Sequence, residues 1–103
     1  MVAIHITGVH CQISDKVKAY IEEKLGSLKR YHPRLDSLHV TIHEAERRGY
    51  RVDVDMHLPT GKDVVAHDQE DTLFSAIDVV AGKCAAQLRR IHEKESEPVR
   101  MRA

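Results

Sequence analysis

The stretch KCAAQLRRIHEK, Lys83 to Lys94, holds four bases and one acid in a chain whose formal net charge is zero. Lys83, Gln87, Arg90 and Lys94 follow one another at steps of four, three and four. At about 100 degrees per residue this spacing places them on one side of a helix as a continuous polar ridge. Clustered Lys and Arg suit one chemistry in particular, the holding of phosphate groups along a polyanion, where charge sets affinity and no base sequence is read. Gln87 would add a neutral hydrogen-bond donor. A second polar flank, Tyr20, Lys24, Ser27 and Tyr31, borders an earlier apolar stripe. Arg47, Arg48 and Arg51 crowd a hairpin, where they either touch RNA or balance Glu44 and Glu46. The competing reading is that both ridges only keep helices solvated. Against it, solvated helices usually intersperse Glu at helical spacing, and these stretches do not.

Eight histidines raise a second chemistry, above all His39 and His43 on one strand face with His57 on the next. A catalytic zinc needs three ligands converging on one point and an open fourth position, and no HExxH or Cys/His spacing is present. The expectation is surface histidines, with no metal, no cofactor and no catalytic residues. Cys11 and Cys84 form no CxxC or knuckle pattern and read as reduced thiols without a chemical role.

Composition narrows the classes further. A chain of 103 residues, 42% hydrophobic and 31% charged, fits one domain with a modest aliphatic core and leaves no room for separate binding and catalytic lobes. The opening run VAIHITGV is far shorter than the roughly 18 residues needed to span a bilayer, and no signal-peptide pattern is present, so a cytosolic protein with no membrane partner is expected. Zero net charge conceals segregation: Asp53 to Gly82 carries seven acids against Lys62, whereas Lys24 to Leu35 carries four bases and no acid. Such asymmetry bears on partners rather than on fold.

The elements that must position these residues follow from periodicity. Val2, Ile4 and Ile6 alternate with polar or small residues as a half-buried strand that Gly8 closes. Ser14 caps a helix over DKVKAYIEEKLGSLKRY, with Val17, Ile21, Leu25 and Leu28 as its buried stripe and Pro33 as its breaker. Leu38 to Ile42 and Tyr50 to Leu58 alternate as two further strands, and a shorter one surrounds Asp63 to His67. A last helix of more than 20 residues starts near Thr72, capped by Asp71 or Asp68, and buries Leu73, Ile77, Val80, Cys84, Leu88 and Ile91. Ala76 and Ala86 stand beside its polar ridge. The order β-α-β-β-β-α predicts an α+β domain, a four-stranded mixed sheet with both helices on one face and strands one and two parallel. With the helices side by side, the two polar flanks are expected to border a shared groove.

Four blocks in this order carry a family resemblance: ITGVHCQISDKVKAYIEEKLGSLKRYH, LHVTI, the segment from DTLFSAID, and KCAAQLRRIHEK. From Ile4 to Lys94 the chain resembles the ribosome hibernation promoting factor and ribosome-associated inhibitor family, also labelled sigma-54 modulation proteins. The resemblance implies a non-enzymatic protein with no small-molecule substrate. It would bind the small ribosomal subunit where messenger and transfer RNAs lie, inhibit translation sterically, and work as a stress or hibernation factor, with a second hibernation factor as a further candidate partner. It implies that Lys24, Lys83, Gln87, Arg90 and Lys94 hold ribosomal RNA phosphates. The pattern departs at Ala86, where family members commonly carry Arg, and at Cys84, where Leu is usual; Arg89 is a partial substitute. Tyr31, Arg47 and Arg48 are secondary RNA-binding candidates. The chain resembles a short form, with residues 1–94 as the ribosome-binding domain and 95–103 as a flexible tail. The alternative is a general RNA-binding module without a specific ribosomal site, since helices on a sheet also occur in domains that read RNA backbone shape.

Overall fold

The structure, a computed structural model, describes residues 2–45, 48–59 and 63–96. Strand β1 (Ala3–Val9) leads to helix α1 (Asp15–Leu25), which tightens into a 3-10 turn over Gly26–Arg30. Strands β2 (Ser37–Glu44), β3 (Tyr50–His57) and β4 (Asp63–Glu70) follow, and helix α2 (Leu73–Ser96) closes the domain. The sheet order is β1-β2-β3-β4, with β1 parallel to β2 and the remaining neighbours antiparallel. This is the expected α+β arrangement, with both helices over one face.

Strand alternation and helix period meet in a single core. Register aligns Ile4, Leu38, Met56 and Val64 in one inward row and Ile6, Val40, Val54 and Ala66 in the next. Against these rows pack Val17, Ile21, Leu25 and Leu28 from the first helical segment and Ile77, Val80, Cys84 and Leu88 from α2, all buried. Burial also pushes the Cys84 thiol up to about 12, which leaves it protonated and unreactive near neutral pH.

The helix starts are held by side chains. Ser14 Oγ accepts from Val17 N–H at 3.2 Å, as expected for a serine before a helix. For α2 the cap is Thr72, whose Oγ1 accepts from Ser75 N–H at 3.2 Å, rather than Asp71 or Asp68. Asp68 is occupied elsewhere, as described below.

Three elements differ from their sequence reading. Strand β1 runs through Gly8 to Val9; Gly8 is required because a Cβ there would lie 2.5 Å from the Cys11 carbonyl oxygen. Strand β4 extends three residues beyond His67, because Asp68, which takes an inward position in the row of Gly8, Ile42 and Val52, is neutralised from α2. Helix α2 continues past Lys94, so Glu95 belongs to the folded domain and not to a tail. Residues 97–103 of the expected tail lie outside the described residues.

Candidate nucleic-acid interface

Helix α2 divides its polar flank into two stretches. Its 24 residues extend about 36 Å, whereas the 8 residues of β4 extend only about 27 Å. The first stretch lies along β4. There Lys83 Nζ donates to the His67 carbonyl and to Asp68 Oδ1, both at 3.0 Å, and Gln87 Nε2 donates to the Val65 carbonyl at 3.2 Å. Ala76, expected to border an exposed ridge, is fully buried on this flank because the flank faces the sheet. The second stretch carries Arg90 and Lys94. Both are exposed, as are Arg89 and Ala86, and among the described residues no hydrogen bond or ion pair holds Arg89, Arg90 or Lys94.

Electrostatics sharpen the division. Burial pushes the Asp68 carboxyl up, but hydrogen bonding to the Lys83 ammonium, to Glu70 and to the Gln69 backbone, with the charge of Lys83, outweighs it and holds the carboxyl below its ordinary value. Glu70, beside it, is raised by its hydrogen bond to Asp68 and by the repulsion between the two carboxylates. Asp68 Oδ2 is buried and has no hydrogen-bond partner among the described residues. Lys83 is therefore the counter-ion of a largely buried carboxylate as well as a member of the ridge.

The flank on α1 is engaged too, but on the opposite side of α2. The Tyr20 hydroxyl donates to Asp78 Oδ1, its ring stacks edge-on against Phe74 at 4.8 Å, and Lys24 Nζ lies 3.9 Å from Asp78. The Asp78 contact raises the Tyr20 hydroxyl pKa, with burial adding to the shift. The expected shared groove between the polar flanks is thus overturned. Lys83 and Gln87 face the β4 edge, whereas Tyr20 and Lys24 face Asp78 across the body of α2. The tightening at Gly26 also ends the α-helical spacing that had aligned Ser27 and Tyr31 with them, and Tyr31 packs half-buried against the core.

What the fold brings together instead is the end of α2 and the segment from Gly26 to Leu35. His32 is 1% exposed; its Nδ1 accepts from Arg34 N–H at 3.3 Å, which leaves the proton on Nε2 to be donated to Glu95 Oε1 at 2.8 Å. Its ring also packs edge-on against His92 at 5.2 Å. This junction seats Lys29, Arg30 and Arg34 at the same end of the molecule as Arg89, Arg90 and Lys94. All six are exposed. Lys29, Arg30 and Arg34 were absent from the sequence-derived site, although the acid-free run from Lys24 to Leu35 signalled them. The missing information was the contact across 63 positions that joins the two basic segments.

The opposite face of the sheet holds His39, His43 and His57 in separate small contacts. His39 Nε2 meets Thr7 Oγ1 at 2.8 Å, His43 meets Asp53 at 3.3 Å, and His57 meets Asp63 at 3.2 Å. Arg51 also pairs with Asp53, at 3.1 Å. Among the described residues no group of three or more His, Cys, Asp or Glu is placed to hold a metal, and no helix is long and apolar enough to cross a membrane. Arg48 is exposed beside Gly49 in the β2–β3 turn; Arg47 lies outside the described residues.

Comparison with known proteins places this geometry. The sequence pattern of the sigma 54 modulation protein / S30EA ribosomal protein family matches residues 4–96. The chain belongs to this family. Within the family it is 31% identical over 94 residues to a ribosome hibernation promoting factor of Azotobacter vinelandii, covering 91% of this chain and 86% of that one. It is 30% identical to a ribosome hibernation promotion factor of Staphylococcus aureus, of which it spans only 48%. The fold recurs in a ribosomal subunit interface protein from Coxiella burnetii, with a TM-score of 0.80 at 23% identity over 87% of this chain and 97% of that one. It recurs also in the N-terminal domain of Protein Y from Thermus thermophilus, with a TM-score of 0.78 at 26% identity over 88% and 99% of the two chains.

Proposed function

We propose that this S30EA-family chain binds the small ribosomal subunit through its ribosomal RNA, in the channel for messenger and transfer RNA, and silences the ribosome by occupying that path. The observation that carries the reading is the basic junction at the C-terminal end of α2. Arg89, Arg90 and Lys94 have no internal partner among the described residues and stand at the end where His32 and Glu95 seat Lys29, Arg30 and Arg34. Bases left free by the fold can act on phosphates without first breaking an internal bond. Lys24, Lys83 and Gln87 contribute more weakly on this reading, since each already has a partner within the domain. Family membership and the names of the relatives support a ribosomal partner, and the work done is steric, with no turnover.

The test compares purified small subunits with a plain RNA duplex over a range of salt. Tight, salt-dependent binding to the subunit and background binding to the duplex is the expected result. Equal binding to both would favour a general RNA-binding module. In cell-free translation, inhibition should saturate near one protein per ribosome; inhibition at far lower ratios would imply damage by turnover and sink the steric reading.

A further inference from the structure

The two edges of the sheet end differently. On β4, the outward carbonyls of Val65 and His67 are taken by Gln87 and Lys83, so side chains of α2 occupy the rim where another strand would add. On β1, the parallel register and the Ala3 N–H to Asp36 carbonyl bond direct the backbone groups of Ala3, His5 and Thr7 toward β2. Parallel ladders use alternate residues, so the N–H and C=O of Ile4 and Ile6 point out of the sheet. Among the described residues no hydrogen bond takes them. Exposed edges are ordinarily blunted by Lys, Pro, a bulge or a covering element. The β1 sequence AIHITGV has neither Lys nor Pro, and its pairing with β2 is continuous without a bulge.

This edge is flanked by two open grooves. One, of about 500 Å³, is lined by Val2, Ile4, Glu22, Gly26 and Lys29. The other, of about 560 Å³, wraps around Ile4 and Ile6 between Lys18 and Glu22 on α1 and His39 on the outer face.

We propose that β1 pairs antiparallel with β1 of a second copy about a two-fold axis at His5. Ile4 of each copy then opposes Ile6 of the other, and each such pair exchanges both N–H···O bonds while their half-buried side chains cover one another. The charges on α1 favour a second copy over an unrelated strand. Because α1 returns antiparallel to β1, Lys18 lies toward Ile6 and Glu22 toward Ile4. The two-fold therefore sets Lys18 of one copy against Glu22 of the other, twice over. The rim is short, so the dimer is weak and forms at roughly 0.1–1 mM protein. The proposal rests on the β1 edge and the α1 charges beside it and does not depend on the ribosomal reading.

Sedimentation equilibrium of the full chain from roughly 0.02 to 1 mM should show a dimer fraction that rises with concentration. Ile4→Pro should abolish it. Because the Ile4 N–H points outward, proline there removes bonds to the second copy without removing a rung to β2, and circular dichroism with a thermal melt checks the fold. Lys18→Glu, an exposed change with little risk to folding, should weaken dimerisation about tenfold, and adding Glu22→Lys should restore it. A chain that stays monomeric at the highest concentration overturns the proposal. So does a dimer unmoved by Ile4→Pro and Lys18→Glu, which would form elsewhere.

Discussion

Lys83 and Arg90 lie two turns apart on one flank of the same helix, yet the fold uses them differently. Lys83 meets Asp68, a carboxylate whose side chain is 11% exposed, and the His67 carbonyl; Arg90 is exposed and meets nothing among the described residues. A base over a sheet is drawn into the domain's own polar accounting, because a buried carboxylate and open edge carbonyls need donors. A base with no such acceptor in reach has no such duty. The same residue type at the same helical phase is therefore part of the scaffold in one place and available to a partner in another.

Mutations can break or sharpen this contrast. The largest stability effect should come from the buried stripe beneath both residues: Leu88→Ala should cost about 2–5 kcal/mol as a cavity mutation, read from chemical denaturation. Arg90→Ala should stay within about 0.5 kcal/mol of the parent. Similar losses from both would mean that the faces of α2 are wrongly assigned.

On the partner side, Arg90→Glu exchanges attraction for repulsion beside the same phosphates. It should reduce affinity for small subunits by about 2 kcal/mol, or roughly thirtyfold, and make the salt dependence shallower. Lys18→Glu, on a different side of α1, should change affinity far less when measured at protein concentrations where the chain is monomeric. If both variants bind as the parent does at physiological salt, the free end of α2 is only a solvated surface.

A smaller effect distinguishes the two bases directly. Lys83→Met removes the donor from Asp68 and should destabilise the domain by about 1 kcal/mol, discounted because the ammonium is half exposed. Arg90→Met should be silent in the same melt.

The smallest effect is in pH. Since Asp68 is held below its ordinary value of 3.8, its contribution is fully present above that value and is lost as pH falls through the lower folded one. Glu70 acts with the opposite sign. Its raised value favours the folded state below its ordinary 4.5, and this contribution is lost as pH rises through the higher folded one. Acid titration of stability should therefore flatten at its low end in Asp68→Asn. In Glu70→Gln, the loss of stability as pH rises just above the ordinary carboxylate range should disappear. An unchanged profile in Asp68→Asn would mean that the contact with Lys83 does not hold the edge.

The sequence by itself determined the elements and their buried faces, because these depend on periods within single segments. Alternation at Leu38, Val40 and Ile42, and the helical spacing of Val17, Ile21 and Leu25, each point one set of side chains inward whatever the rest of the chain does. It also marked KCAAQLRRIHEK and the run from Lys24 to Leu35 as basic, since composition is local. Only the tertiary structure decided which of those bases are free. Lys83 is taken by a carboxylate 15 positions away, Lys24 by one on another helix, and Lys29, Arg30 and Arg34 join the end of α2 through a histidine and a glutamate 63 positions apart. The physical reason is that a charged side chain responds to whatever desolvated partner lies within reach, and reach is set by how the elements pack rather than by their own periodicity.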